Sequence, residues 1–321
     1  MDIVWFGEER SQEVALVGGK AASLSRLAGR YRVPPAFCLT TVAYETWRRT
    51  ARPAHRQVPP PLPPSLLAAL RRAHAELERR SGAEPLQLAV RSSAIDEDGA
   101  EASFAGQHET FLNVVGVDAV VEALVRCWTS GRSERALAYR HSKGLDGATI
   151  HLAVLVQQLV PADASAVVFS ADPVTGRRDH VLIDASFGLG ESIVGGAVTP
   201  DAYRVDKGTR QVVERSLGSK AVMHVPAPNG TREVPVPRPL RSQPALSDGQ
   251  CAACAELAVS LEAELGHPVD LECAFHGGDL YLLQCRPITR MPADPKNLRS
   301  AAPELDPDHR SDGQSPTPPE A

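Results

Sequence analysis

Residues 89–111 read AVRSSAIDEDGAEASFAGQHETF, and the chain is organised around them. The run opens as a strand over residues 86–90, apolar at most positions. It then delivers Arg91, Ser92 and Ser93, three groups suited to phosphate oxygens. A guanidinium fork pairs with two oxygens at once, and hydroxyls add neutral donors. An acidic cluster follows at Asp96, Glu97, Asp98 and Glu101. Ser103-Phe104-Ala105-Gly106-Gln107 is then a small-residue loop whose backbone N–H groups could close over an anion. Arg-Ser-Ser alone fits equally well a strand running into a polar surface loop, so the reading turns on what surrounds it.

Two other stretches carry charge in a pattern. Val17-Gly18-Gly19-Lys20 precedes an amphipathic helix expected from about Lys20 to Ala28, with Gly29 as its C-cap. A Gly-Gly turn at a helix N-terminus leaves N–H groups free for an anion, and Lys20 adds a mobile positive charge. An exposed lysine at a helix start is the plainer alternative. Near the other end, residues 269–289 read VDLECAFHGGDLYLLQCRPIT. Two β-prone segments bracket His276-Gly277-Gly278-Asp279, which predicts an antiparallel hairpin. Period-two alternation puts Asp270 and Glu272 on one face, and Gln284 and Arg286 on one face. A turn centred on Gly278 sets Glu272 opposite Gln284 and Asp270 opposite Arg286. The patch would hold an oxygen-rich cation site beside an arginine, and magnesium favours few carboxylates plus substrate phosphates. A surface Asp–Arg pair is the plainer alternative.

Taken together these stretches closely resemble the ATP-binding domain of phosphoenolpyruvate synthase and pyruvate phosphate dikinase, a domain shared with rifamycin phosphotransferases. The resemblance rests on "AVRSSA…ED…EASFAGQ…T", on GGKAASLSRLAGRYRVPPAFCLTTVAY and on "DLE" followed by "LLQCRPIT". Gly188-Leu189-Gly190-Glu191 and Val198-Thr199-Pro200-Asp201 are similar to two further runs of that family. Departures are small: Ala36 stands where glycine is usual, Asp172 where asparagine is common, and His108 where glutamine is usual. The motifs fall in order across roughly residues 1–290.

The resemblance implies an α+β, two-lobed ATP-grasp fold with nucleotide between the lobes. The lobes would be residues 1–157 and 158–291, followed by a disordered tail over 292–321. It implies that Lys20, Arg91 and Arg286 bind phosphates as the catalytic cations, and that Glu272 and Gln284 hold Mg2+, with Asp270 beside them. Ser103 and Gly106 would belong to a lid over ATP, with Thr110 close by. Gln157, Gln158, Leu159 and Val160 would form the hinge that reads the adenine edge.

The rest of the chain is consistent with a folded domain. Thr40 or Thr41 should cap a helix through Trp47, and residues 65–80 read as a helix ended by Gly82. Asp118 should cap a helix through Trp128, a second helix is expected over 133–143, and residues 151–160 read as a buried strand. Residues 52–64 and 205–245 are proline-rich and carry little signal. At 321 residues and 43% hydrophobic the chain can bury a sizeable core. A net charge of -5 and a pI near 6.1 argue against a nucleic-acid partner. No apolar run approaches the roughly 20 residues a membrane span needs. The N-terminus lacks a signal-peptide pattern, and the six scattered cysteines fit a reducing, cytoplasmic setting. Cys251-x-x-Cys254 lies in a helical, alanine-rich run and reads as packing rather than metal binding.

Full-length relatives add a swivelling domain with a phosphoryl-carrying histidine and, usually, a pyruvate-binding barrel. None of the ten histidines here stands in the carrier's T-x-H-A context. The expected function is therefore the Mg·ATP-binding subunit of a split phosphotransferase. The carrier histidine and acceptor-binding site would sit on a separate protein, and the final acceptor would be a small molecule. A free-standing ATP-dependent kinase or ligase and a non-catalytic ATP-binding regulator are the alternatives. Retention of Lys20, Arg91, Glu272, Gln284 and Arg286 weighs against the last.

Overall fold

The structure is a computed structural model that describes residues 2–50, 59–95, 109–133, 138, 141, 150–228, 230–289 and 291–292. The acidic cluster at 96–101, Ser103 and Gly106, His108, most of the helix expected over 133–143 and the tail from 293 lie outside these residues.

Chain order in the first half is β1 (Ile3–Trp5), a 3-10 turn (Glu9–Gln12), α1 (Val14–Leu27), β2 (Ala36–Leu39), α2 (Thr41–Thr50) and α3 (Pro64–Ser81). Then come β3 (Gln87–Ala94), β4 (Thr110–Val115), α4 (Val117–Ser130) and β5 (Leu152–Gln158). The strands form a five-stranded antiparallel sheet in the order β1-β2-β5-β3-β4. Helices α2, α3 and α4 cover one face. Their core includes Leu66, Leu70, Leu77 and an aromatic trio in which the Trp47 and Trp128 rings are 5.0 Å apart. Each such fully buried leucine contributes about 1.5–3 kcal/mol.

The second half runs β6 (Ala164–Phe169), β7 (His180–Phe187), α5 (Glu191–Val194), β8 (Asp201–Asp206), β9 (Val212–Ser216), β10 (Val222–Ala227) and β11 (Gly230–Pro235). It continues through α6 (Arg238–Arg241), α7 (Asp248–Leu265), β12 (Val269–His276) and β13 (Asp279–Pro287). Six strands make an antiparallel sheet in the order β13-β12-β6-β7-β8-β9, and β10 and β11 pair as a separate ribbon. Helix α7 backs this sheet through Cys251, Cys254, Ala255, Ala258 and Leu261. Burial pushes the Cys251 thiol up to about 12, so it packs as a neutral group.

Helix α1 joins the two halves. Val17, Ala21, Ala22 and Leu24 share one core with Ala153 and Leu155 of the first sheet and with Leu282 and Cys285 of β13. Two helical segments meet in α1 at a kink, Gly18 (φ 78, ψ 168): a turn from Val14 that the spacing does not predict, and then the helix expected from about Lys20. The break has a steric cause: a Cβ at Gly18 would overlap the Ser93 carbonyl, so glycine lets α1 approach β3. Helix α1 closes at Ala28 in right-handed geometry, not on a left-handed Gly29. Gly82 does end α3 in the left-handed conformation. Thr40 caps α2, its Oγ1 accepting from Ala43 N at 3.3 Å. Helix α4 has Gly116 at the N-cap, and Asp118 sits within its first turn.

Candidate functional site

The hairpin β12–β13 has the register that alternation predicts: Asp270 faces Arg286 and Glu272 faces Gln284. Tight reversal at Gly277 (φ 59) and Gly278 (φ 89) requires two successive left-handed residues, which glycine supplies. Arg286 Nε donates to Asp270 Oδ2 at 2.8 Å, and Nη2 forms an ion pair with the same oxygen at 2.8 Å. Burial pushes the Asp270 carboxyl above its usual range, Arg286 pulls it back down, and Glu272 pushes it up. Cys273 and Cys285 are buried in the core behind the hairpin.

Strand β3 brings Arg91 to this floor. The residue is 7% exposed; its Nη1 donates to Leu283 O at 3.1 Å and lies 4.0 Å from Glu272 Oε2. Arg91 Nε is buried and has no hydrogen-bond partner among the described residues. Leaving a charged donor unpaired in the interior is costly unless a ligand completes it. Lys20, two residues past the break in α1, reaches Ser92 O at 3.4 Å.

Ser92 and Ser93 continue β3 instead of opening a loop, and they are spent on the fold. Ser92 Oγ donates to Glu109 O at 3.3 Å, and Ser93 Oγ accepts from Ala21 N at 3.1 Å. Neither hydroxyl is presented to a ligand as the sequence reading expects. Ser93 holds α1, and with it Lys20, against β3, while Ser92 ties β3 to the residue before β4.

These groups line one cavity of about 370 Å³ between the two sheets. Lys20, Arg91, Thr110, Glu272, Gln284 and Arg286 line it, as do Gln157, Gln158, Leu159 and Val160 at the end of β5. Asp270 is not among the described lining residues; it stands behind Arg286 and orients it. At the β5 end, Gln158 N donates to Pro35 O and Leu159 N to Gln87 O, both at 2.9 Å. Val160 N–H has no acceptor among the described residues. Ala89, Leu159 and Leu189, with Leu112 and Ala162 against them, form a small apolar cluster, and all five line the same cavity. The site thus changes character along its length, from cationic and oxygen-rich to apolar.

The sequence pattern of the family described as pyruvate phosphate dikinase, AMP/ATP-binding domain, matches residues 56–304. This chain belongs to that family. Its fold is α+β and two-lobed, one lobe around each sheet, as the motifs imply. Rifampicin phosphotransferase from Streptomyces sviceus is 41% identical over 309 residues, covering 87% of this chain and 35% of that protein. A probable phosphoenolpyruvate synthase from Methanothermobacter thermautotrophicus is 36% identical over 316 residues, covering 90% of this chain and 46% of that protein. Phosphoenolpyruvate synthase from Pyrococcus furiosus is 34% identical over 357 residues, covering 90% and 44%. The chain therefore spans less than half the length of these relatives. Among solved structures, D-alanyl-alanine synthetase A from Vibrio cholerae aligns with a TM-score of 0.34 at 13% identity, covering 88% of this chain and 59% of that one; a likeness that distant carries no weight.

Within this pyruvate phosphate dikinase-type domain, sequence reasoning missed the apolar cluster and Glu191. Ala89, Leu112, Ala162 and Leu189 come from four separate segments, and no spacing along the chain links them. Glu191 ends a run that resembles the family's Gly-Leu-Gly-Glu, yet the glycines alone account for a turn. The structure places it among the residues that line the cavity.

Proposed function

We propose that this chain binds Mg·ATP between its two sheets and readies it for phosphoryl transfer to a histidine on a separate partner chain. A small-molecule acceptor then takes the phosphoryl group from that histidine. The observation that carries this reading is the change of chemistry along one cavity: Lys20, Arg91 and Arg286 in one part, an apolar cluster beside Val160, whose N–H has no acceptor among the described residues, in another. A triphosphate suits the first part, and a flat base with one edge acceptor suits the second. The volume is in the range of small-ligand clefts.

Each residue has a physical role in this scheme. Lys20 and Arg286 neutralise phosphate charge without moving protons. Arg91 Nε, buried and without a hydrogen-bond partner among the described residues, donates a hydrogen bond to a phosphate oxygen. Asp270 fixes the Arg286 fork through a hydrogen bond and an ion pair. Thr110 adds a polar residue to the cavity wall. Glu272 and Gln284, side by side on adjacent strands, offer the few hard oxygens that magnesium takes alongside substrate phosphates. When bound, the ion offsets negative charge on those phosphates. Catalysis here is positioning and electrostatic preorganisation.

In the reaction, the bond from the α–β bridging oxygen to the β-phosphorus breaks as the histidine nitrogen bonds to that phosphorus. AMP leaves with the oxygen, and water then takes the γ-phosphoryl group as phosphate. None of the described residues lining the cavity is a histidine, and the relatives extend far beyond the matched region, which supports a carrier outside these residues. Phosphorus NMR of the protein with Mg·ATP, alone and with an extract of its source cells depleted of this chain, tests the reading. AMP and phosphate should appear only in the mixture. ADP formed by the protein with a small-molecule fraction would replace the proposal by direct transfer to a metabolite. ATP that stays bound and intact in both conditions would replace it by a regulatory role.

A further inference from the structure

The ribbon β10–β11 grows out of the second half of the molecule. Among the described residues its strands pair only with each other. Its root is fixed: Lys220, just before β10, is fully buried in an ion pair with Asp201, and Val236, just after β11, is 1% exposed. Its middle is bonded to the turn after β7. Leu189 N donates to His224 O at 2.9 Å, and Gly188 (φ 75) makes room for that carbonyl, which a Cβ would press on. Its tip reaches the first half. Asn113 of edge strand β4 donates from Nδ2 to the carbonyls of Ala227 at 2.6 Å and Gly230 at 2.8 Å, the last pair of the ribbon.

A bulge aims Asn113 at the ribbon. Leu88 pairs with Val114 and Val90 with Phe111, so Leu112 and Asn113 of β4 stand against Ala89 alone. Asn113 takes φ 55, a left-handed conformation that asparagine tolerates better than most residues. It is 4% exposed, and its Oδ1 has no partner among the described residues, so the amide is held by its two donated bonds. Leu112, beside it in the chain, lines the cavity, and so does Leu189, which β10 holds. The ribbon thus ties together two apolar walls, one from each half. Elsewhere the halves are joined more firmly. The chain crosses between β5 and β6, α1 shares its core with both sheets, and Arg32 pairs with Asp279 while its carbonyl accepts from Leu282 N at 3.0 Å. At the ribbon, the hydrogen bonds between the halves among the described residues are the two from one side chain.

We propose that the ribbon is a strap beside the apolar part of the cavity and that Asn113 is its latch, released each time a nucleotide enters or leaves. The two halves part at the ribbon and pivot about α1 and the chain crossing. Two neutral hydrogen bonds on one amide are strong enough to keep the walls together and weak enough to open. The latch is made of protein groups alone, so it closes the free and the loaded chain alike. It therefore sets the rate of exchange and leaves the affinity alone. Asn113 is a positioning residue that touches no ligand. The proposal rests on the nucleotide reading above.

Release of radiolabelled Mg·ATP into excess unlabelled Mg·ATP, together with calorimetric Kd values, tests it. The full chain is compared as wild type, Asn113→Gly and Asn113→Asp, each checked for folding by circular dichroism. Both replacements tolerate the left-handed backbone; glycine removes the donors, and aspartate sets a carboxylate against the two carbonyls. Both should speed release about tenfold or more, the scale of two neutral hydrogen bonds, with Kd within about twofold of wild type. The association rate, koff/Kd, then rises in step. An unchanged release rate in a folded variant overturns the proposal and leaves the nucleotide reading standing. So does weaker binding at an unchanged association rate, which would make Asn113 a plain support of the cavity wall. Folded wild type that binds no Mg·ATP overturns both. If Asn113→Gly does not fold, Asn113→Asp decides.

Discussion

Replacing Lys220 by methionine should destabilise the chain by about 3 kcal/mol. Lys220 and Asp201 are both 0% exposed and form an ion pair inside the second half. Asp201 Oδ1 also accepts from Gly218 N at 2.9 Å, and Oδ2 accepts from Ala245 N at 2.7 Å and Tyr203 Oη at 3.2 Å. Lys220 Nζ also donates to Gly218 O at 3.1 Å. The pair ties the start of β8 to the segment before β10 and to the approach of α7. Removing one member of a buried pair costs about 3–5 kcal/mol, since the other charge stays buried. Lys220→Met leaves Asp201 three donors, which puts it near the lower figure. Asp201→Ala leaves the ammonium with Gly218 O as its remaining hydrogen-bond acceptor, which puts it near the upper one. Urea unfolding with a double-mutant cycle measures both costs and their coupling, which should exceed about 2 kcal/mol. A Lys220→Met variant within about 0.5 kcal/mol of wild type at unchanged m would refute the reasoning.

Two further outcomes are specific. Ser247 caps α7: its Oγ accepts from Gln250 N at 3.3 Å while Gln250 Oε1 accepts from Ser247 N at 2.9 Å, so Ser247→Ala should cost about 1 kcal/mol in urea unfolding. No loss would mean that the cap adds nothing beyond the helix's packing. Burial holds the Asp184 carboxyl above its ordinary 3.8, so the folded chain keeps that proton more tightly than the unfolded chain. Its contribution to stability is full below the ordinary value and is lost as pH rises through the folded one. Asp184→Asn should therefore gain on wild type as pH rises from below 3.8 toward neutrality. A difference independent of pH, read from unfolding curves across that range, would contradict the assignment.

Local alternation made the most specific part of the site readable. The pairing of Glu272 with Gln284 and of Asp270 with Arg286 followed from a two-glycine turn and period-two side chains, both short-range properties. The same logic carried β5 as a strand buried on both faces. What escaped depends on contacts distant in sequence. Gly18 breaks α1 because β3 passes beside it, and Ser93 is consumed by that same approach. Without β3 in view, the turn of helix before Gly18 goes unseen and Arg-Ser-Ser reads as three ligands. Residues 205–245 looked uninformative, yet they supply Lys220 to a buried pair and Thr231 to the Glu191 carboxylate. A lysine in a polar, proline-rich stretch gives no sign that its partner lies nineteen positions earlier. The apolar cluster around Leu189 is likewise assembled by the fold from residues that share no periodicity.

The central claim is that the cationic part of the cavity takes the phosphates of ATP, with Arg91 as its buried anchor. Calorimetric titration of Mg·ATP into wild type and Arg91→Ala, with circular dichroism and thermal unfolding of both, tests it most directly. A charge-assisted hydrogen bond of about 1.5–3 kcal/mol corresponds to at least about a tenfold change in Kd. The account predicts that wild type binds Mg·ATP and that the folded Arg91→Ala variant binds it at least that much more weakly. Equal affinities in two equally folded proteins would contradict it.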